Sequence, residues 1–214
     1  MFSAFDERDL RALASVTRVK ELEPGEALWT HGDDAEWLGG IVSGPLKLTR
    51  PQQRREILVE VLGPGALVGD VAFSLRAPYP FDVVSLRRAR VLLVPVRVLR
   101  NLLAQRPKAA VALTVELAKQ VMQLTRRVET LTAGTVEQRL ALALVGLADR
   151  FGEAFPGGVL VPLRLRRQDL ASLAATTLET TSRRLTAWKR RGIVLPQPAG
   201  YLVRDLAALR RITE

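Results

Sequence analysis

Three residues near the C-terminus have the types and spacing to read base edges. Glu179, Ser182 and Arg183 stand at i, i+3 and i+4 in the run LETTSRRLTAWKRR. On a helix that spacing brings them to one face. Arg can donate to guanine O6 and N7, Glu can accept from cytosine N4, and Ser suits either kind of edge. Downstream, Lys189, Arg190 and Arg191 suit phosphates, which position a protein without specifying sequence. A second reading of the acid stays open. Thr176 and Glu179 fit the capping-box spacing S/T-x-x-E, in which the Glu merely bonds a backbone N–H. If Thr177 caps the helix instead, Glu179 is free for the groove.

These residues need a helix with a buried opposite face. Leu178, Thr181, Leu185 and Trp188, at spacings 3, 4 and 3, form that inner stripe over about 178–191. A preceding helix over about 167–175 offers Leu170, Leu173 and Ala174, and a short threonine-rich turn joins the two. IVLPQPAGYLV then reads as a hairpin, and Asp205 can cap a last short helix. Upstream lie a helix over 135–151 and the strand-like VLVPLRL. Helix, strand, helix–turn–helix and hairpin is the order of a winged helix-turn-helix.

The first half has another texture. A short amphipathic helix is expected over 6–16. From Val19 to Val96, apolar runs alternate with the turns EPGE, HGDD, VSGP and GPGA, which points to a β roll, barrel or sandwich. TRPQQRRE at 49–56 reads as a polar hairpin tip, and VRVLRNLLAQRP as a helix ended near Pro107. Residues 108–132 contain neither Gly nor Pro and carry Leu117, Val121, Leu124, Val128 and Leu131 at spacings 4, 3, 4 and 3. That is a heptad seam, expected to pair with a second copy. Val111, Val115, Ala118 and Met122 form a neighbouring stripe, so that one stripe could bury on the roll and the other in a dimer. The division expected is a sensor roll over 1–106, a dimerisation helix over 107–133 and a DNA-binding unit over 134–214, an α+β chain overall.

Composition agrees with a polyanionic partner. The 214 residues carry a net charge of +10, and residues 134–214 hold 13 basic against 7 acidic residues. There is no cysteine, which rules out disulfides, thiolate zinc sites and cysteine-ligated iron–sulfur clusters. The start, MFSAFDERDL, lacks the pattern of a signal peptide, and no apolar run approaches a membrane span, so a cytoplasmic protein is expected. No nucleophile–base set, metal cluster or P-loop pattern argues for an enzyme.

GGIVSGPLKL, ILVEVLGPGALVGDVAFS, the long helix and RRQDLASLAATTLETTSRRL together, in this order, resemble the CRP/FNR family of bacterial transcription factors. The resemblance spans nearly the whole chain. It implies a cyclic-nucleotide-binding-domain-like roll of jelly-roll type, a homodimer, double-stranded DNA as partner, contact with RNA polymerase, and activation of transcription as one mode of action. In that family an E-x-x-S-R pattern reads TTGAT-type half-sites, and here it falls on Glu179, Ser182 and Arg183. Leu178 stands where the cyclic-AMP receptor branch has Arg, so the likeness is to the fumarate-nitrate regulator type of reading. Arg167, Thr177 and Thr180 fall where family members touch phosphates.

The sensor cassette departs from that pattern. Gly69 matches, Asp70 is a shorter stand-in for Glu, and Thr125 falls where a helix residue faces the nucleotide. Pro80 and Phe81 occupy the Arg and Ser positions that would hold the cyclic phosphate. Proline has no N–H to donate, and Phe offers no anion ligand. Arg76, Arg87 and Arg88 are nearby, but none is at the matching position. The iron–sulfur branch needs cysteines, and His31, the one histidine, lies in the turn WTHGDD rather than in a haem-ligand position. The expectation is a DNA-binding regulator without metal or cofactor whose effector is not a cyclic nucleotide. The alternatives are a cyclic-AMP- or cyclic-GMP-dependent activator of the same fold, and a ligand-binding roll acting through a protein partner.

Overall fold

The computed structural model describes residues 5–52 and 55–213. Helix α1 (Glu7–Val16) begins at Asp6, whose carboxylate accepts from the Asp9 N–H at 2.8 Å, the N-cap bond that an orphan first-turn donor needs. Strands β1 (Arg18–Leu22), β2 (Ala27–Trp29), β3 (Trp37–Ser43), β4 (Leu46–Gln52), β5 (Arg55–Leu62), β6 (Leu67–Val68), β7 (Asp82–Ser85) and β8 (Ala89–Pro95) follow, with a short helix α2 (Asp70–Leu75) before β7. They form two antiparallel sheets, ordered β1-β8-β3-β6 and β2-β7-β4-β5. The expected hairpin at 49–56 is the β4–β5 pair, and its tip at 53–54 lies outside the described residues. Gly44 carries the chain from one sheet to the other. Its φ of +78° and a Cβ that would fall 2.3 Å from the Arg88 carbonyl oxygen leave room only for glycine. Inward residues such as Leu22, Ile41, Leu46, Val68 and Val91 fill the space between the sheets.

Helix α3 (Val96–Gln105) leads to α4 (Pro107–Ala133), which opens with Pro107 in its first turn, where the missing N–H costs nothing. Ala109, Leu113 and the half-buried Leu117 of α4 pack with Leu99 and Leu13. Leu117 thus packs in part on the roll side of α4. The first half of the helix must cover α3, and a heptad pattern alone does not say which partner a stripe faces. Val111, Val115, Val121, Met122, Leu124 and Val128 remain exposed. No described helix is long and apolar enough to cross a membrane.

The last part comprises α5 (Val136–Phe151), β9 (Glu153–Phe155), β10 (Gly158–Val161), α6 (Arg167–Leu173), α7 (Leu178–Arg190), β11 (Val194–Gln197), β12 (Gly200–Val203) and α8 (Leu206–Thr213). Thr135 and Gln138 close a capping box on α5. Asp205 accepts from the Ala208 N–H at 2.7 Å and starts α8 as the sequence suggested. The sheet order is β11-β12-β10-β9, so the hairpin β11–β12 is the wing. The architecture is thus an α+β roll, a long helix and a C-terminal winged helix-turn-helix.

The roll and the C-terminal unit share one apolar cluster. Leu58, Val61 and Leu86 of the roll are buried with Leu140, Leu144 and Leu163. Polar ties surround it. Glu56 pairs with Lys47 at 2.7 Å and with Arg166 at 2.6 Å, and Arg87 pairs with Glu153 at 2.6 Å. Burial raises the Glu56 carboxyl, but the hydrogen bonds from Lys47 and Arg166 outweigh it and hold the group at about 2, against an ordinary 4.5. A carboxylate with a depressed folded pKa stabilises above its unfolded pKa, and the gain disappears as pH falls through the folded value. Urea denaturation should therefore show stability lost between about pH 4.5 and 2, with Glu56→Gln flattening that part of the profile.

Candidate nucleic-acid interface

Helix α6 is fixed by Arg166 and Asp169. The buried Asp169 accepts from the Arg166 backbone N–H at 2.7 Å and from its guanidinium at 2.9 Å. The turn to α7 passes through Ala175 in the left-handed region, at φ +45°. Arg139 of α5 secures that turn. Its guanidinium donates to the carbonyls of Gly134 (2.7 Å), Ala174 (2.8 Å) and Ala175 (3.3 Å). One side chain thereby joins the end of α4 to the helix-turn-helix corner.

Thr177 is the N-cap of α7, and its hydroxyl accepts from the Thr180 N–H at 3.1 Å. The capping-box alternative for Glu179 is thus not adopted. Glu179 is exposed and makes no hydrogen bond or ion pair among the described residues. On the inner side Thr181, Leu185 and Trp188 are buried, and Trp188 Nε1 donates to Glu137 at 3.1 Å. Arg184 pairs with the same carboxylate at 2.9 Å, so Glu137 ties α7 to α5 through two donors. Leu178, expected in the inner stripe, is 46% exposed as the first residue of α7.

The outer face carries exposed Glu179 and Arg183 with half-buried Ser182 between them. The Arg183 guanidinium lies 3.4 Å from the Thr180 hydroxyl and has no acidic partner among the described residues. Lys189, Arg190 and Arg191 at the far end of α7 are exposed and likewise unpaired with an acid among the described residues. Arg167 is exposed in the first turn of α6, and Thr177 is exposed beside half-buried Thr180. Of the five basic residues over 183–191, only Arg184 is engaged in an ion pair with a described acid. The rest remain available to an external polyanion.

The roll contains a cavity of about 600 Å³ between its sheets and α4. Gly69, Asp70, Pro80 and Phe81 all border it. Gly69 adopts φ +82°, and a Cβ there would press on Tyr79 and Trp29, at 3.1 and 3.2 Å. Those two rings stack, centroids 4.1 Å apart and planes 2° from parallel, and Tyr79 Oη donates to the Trp37 carbonyl at 2.7 Å. Asp70 is only 7% exposed, and its Oδ2 has no hydrogen-bond partner among the described residues. Burial pushes its carboxyl up, against the opposing pull of its own and Val71's backbone amides and of Gln120. Thr125 does not border the cavity; its hydroxyl donates to the Val121 carbonyl at 3.0 Å. Leu124 does border it, and Leu131 borders a second groove, of about 330 Å³, against α5. Arg76, Arg87 and Arg88 do not line the cavity, and the latter two face Glu153 and the pair Glu21 and Glu23.

Three groups escaped the sequence reading. Arg150 of α5 borders the roll cavity and donates to the Val61 carbonyl at 2.7 Å. Arg139 holds the turn, and Glu137 anchors α7. Arg139 and Arg150 are eleven residues apart, three helical turns, and so share a face of α5. That spacing was the available signal, but nothing local says that the face meets both the turn and the roll.

Comparison with known proteins agrees with this geometry. Residues 19–106 match the model of a cyclic nucleotide-binding domain, and residues 138–212 match that of a Crp-like helix-turn-helix domain. The chain is 31% identical to the nitrogen fixation regulation protein FixK of Azorhizobium caulinodans, over 85% of this chain and 74% of that one. It is 26% identical to a CRP-like cAMP-activated global transcriptional regulator of Mycobacterium tuberculosis, over 94% of this chain and 91% of that one. Among solved structures, TTHB099 of Thermus thermophilus, a transcriptional regulator of the CRP family, superposes with a TM-score of 0.78 at 22% identity, covering 91% of this chain and 96% of that one. FixK2 of Bradyrhizobium japonicum does so with a TM-score of 0.76 at 19% identity, covering 93% and 98%. With a matching roll, a matching helix-turn-helix and a relative above 30% identity over 85% of this chain, the chain belongs to the CRP/FNR family of transcription regulators.

Proposed function

We propose that this chain is a homodimeric regulator that reads an inverted repeat of TTGAT-type half-sites and answers, through its roll, to something other than a cyclic nucleotide. The observation that carries the DNA reading is the outer face of α7. Glu179, Ser182 and Arg183 lie together there, and neither Glu179 nor Arg183 is spent on an ion pair among the described residues. Arg167, Thr177, Thr180, Lys189, Arg190 and Arg191 flank that face as the phosphate contacts. The exposed apolar residues of α4 support pairing of two copies, and a two-fold dimer reads a two-fold site. RNA polymerase is the protein partner that such a regulator would address.

A cyclic-nucleotide-dependent regulator is the second reading, favoured by the matched domain model and by the name of the Mycobacterium relative. Pro80 and Phe81 in the cavity wall weigh against it, since neither offers an N–H or cation to a phosphate from its side chain, and Pro80 lacks the backbone donor as well.

Titration of labelled duplexes separates the roles on α7. Arg183→Ala should cost about 1–3 kcal/mol on the specific site and relax discrimination at one base pair. Lys189→Ala should weaken all duplexes alike and lower the salt dependence of binding. Equal losses on specific and random duplexes from Arg183→Ala would remove the base-reading role.

A further inference from the structure

Helices α4 and α5 share no apolar cluster among the described residues. Residues of α4 pack with the roll, and those of α5 with α6, α7 and the wing. Between Leu131 of α4 and Leu142, Ala143 and Gly146 of α5 lies the groove of about 330 Å³. Side-chain packing therefore leaves the joint between the two helices open. The backbone crosses it through Gly134 and Thr135, both extended. Arg139 borders the same groove, and its guanidinium spans the joint. The three carbonyls it binds belong to helix ends. Gly134 is the C-cap of α4, Ala174 is the C-cap of α6, and Ala175 is the left-handed residue that follows. Carbonyls at a helix C-terminus lack intrahelical partners and carry the negative end of the dipole, so a cation there is favoured. Arg139 forms no ion pair among the described residues, and its fork is given over to these carbonyls. The guanidinium is planar with donors in fixed directions, so three carbonyls held at once fix the end of α4 against the corner. Glu137, on the same first turns of α5, carries the tie onward to Arg184 at 2.9 Å and Trp188 Nε1 at 3.1 Å. The roll holds the unit elsewhere, around Leu58 and Val61 and through Glu56 and Arg166.

Resting on the reading of the chain as a dimer paired through α4 that binds an inverted repeat, we infer that Arg139 is a positioning residue that sets which separation of half-sites is accepted. In such a dimer each α7 takes its place relative to the two-fold axis from the angle between its own α4 and the helix-turn-helix corner. Arg139 bonds to both sides of that angle. Without the guanidinium each α7 stays intact, because Thr177 still caps it and Trp188 still anchors it. The pair of helices is then free to lie at several separations.

Duplex titrations of the full chain at one salt concentration test this, with a single half-site and with inverted repeats whose arms are shifted by about one or two base pairs from the preferred separation. The parent should prefer one separation. Arg139→Met keeps the stem and removes the fork. It should bind the single half-site as the parent does, lose about tenfold on the preferred repeat, and bind the shifted repeats nearly as well as that one. Arg139→Lys should behave alike, since one ammonium cannot span three carbonyls on separate elements. The parental spacing preference in either variant would overturn the inference. So would equal losses on half-site and repeat in both variants, or failure of both to fold by circular dichroism, since each would make Arg139 a stabilising residue only. If one variant does not fold, the other decides. A parent that binds half-sites specifically but at every separation alike overturns this inference alone, whereas one that binds no duplex specifically overturns the regulator reading and this inference with it.

Discussion

Trp188→Ala should lower the stability of the protein by about 3–5 kcal/mol, the cost of emptying a large aromatic site in a core. Trp188 is fully buried in the cluster that joins α5, α7, the wing and the β5 strand. The substitution removes that packing and also withdraws a donor from Glu137, leaving the carboxylate to Arg184 alone. Because the same cluster holds Leu58 and Val61 of the roll, the loss should reach beyond the helix-turn-helix. Trp188→Phe separates the two contributions. It keeps most of the apolar volume, so it should recover most of the stability and leave a deficit of about 1–3 kcal/mol for the lost donor to Glu137 and the smaller ring. Urea midpoints of the three proteins, read by circular dichroism, measure this. A Trp188→Ala protein as stable as the parent would mean that α7 is not held by this anchor.

Val121→Asp combined with Val128→Asp should convert a dimer into a monomer. The two side chains are 60% and 58% exposed, one heptad apart, on a 27-residue helix whose other side is committed to the roll. Two carboxylates at that seam would repel their copies across the two-fold axis and would lose hydration on pairing. Sedimentation should give the monomer mass. Affinity for an inverted repeat should fall by roughly 10²–10⁴, since the second half-site is then no longer bound intramolecularly. Binding of one half-site should be almost unchanged, as neither position lies on α7. Val111 and Val115 are exposed as well, so the matching pair of aspartates there shows how far the seam extends toward the start of α4.

The recognition helix was legible because its signals are local. Thr177 as cap, Thr181, Leu185 and Trp188 as buried stripe, and Glu179, Ser182 and Arg183 on the other face follow from a 3.6-residue period and one capping residue. Leu178 is exposed because it opens α7, and period alone does not say which end of a stripe is covered. Helix α2 was not anticipated. Six residues between Gly69 and Arg76, both left-handed, are too few to show a period. Leu117, in the same heptad row as the exposed Val121 and Val128, packs in part toward the roll. A heptad marks an apolar stripe but not its partner. Least legible was the joining of the two halves. Glu56 meets Arg166, 110 residues on, and Arg87 meets Glu153, 66 residues on, and no local pattern encodes such pairs. The cavity was legible in part. Pro80 and Phe81 marked two wall positions without an anion ligand, whereas the burial of Asp70 and the approach of Arg150 appear only in three dimensions.

Selection from a random pool of DNA duplexes with the purified full chain tests whether α7 reads sequence. The expected result is enrichment of an inverted repeat with TTGAT-type arms, their centres about one helical turn, 10–10.5 base pairs, or a multiple of it apart. Arg183→Ala should relax one position in each arm. A pool with no enriched inverted repeat, bound only through charge and released evenly by salt, would contradict this reading of α7.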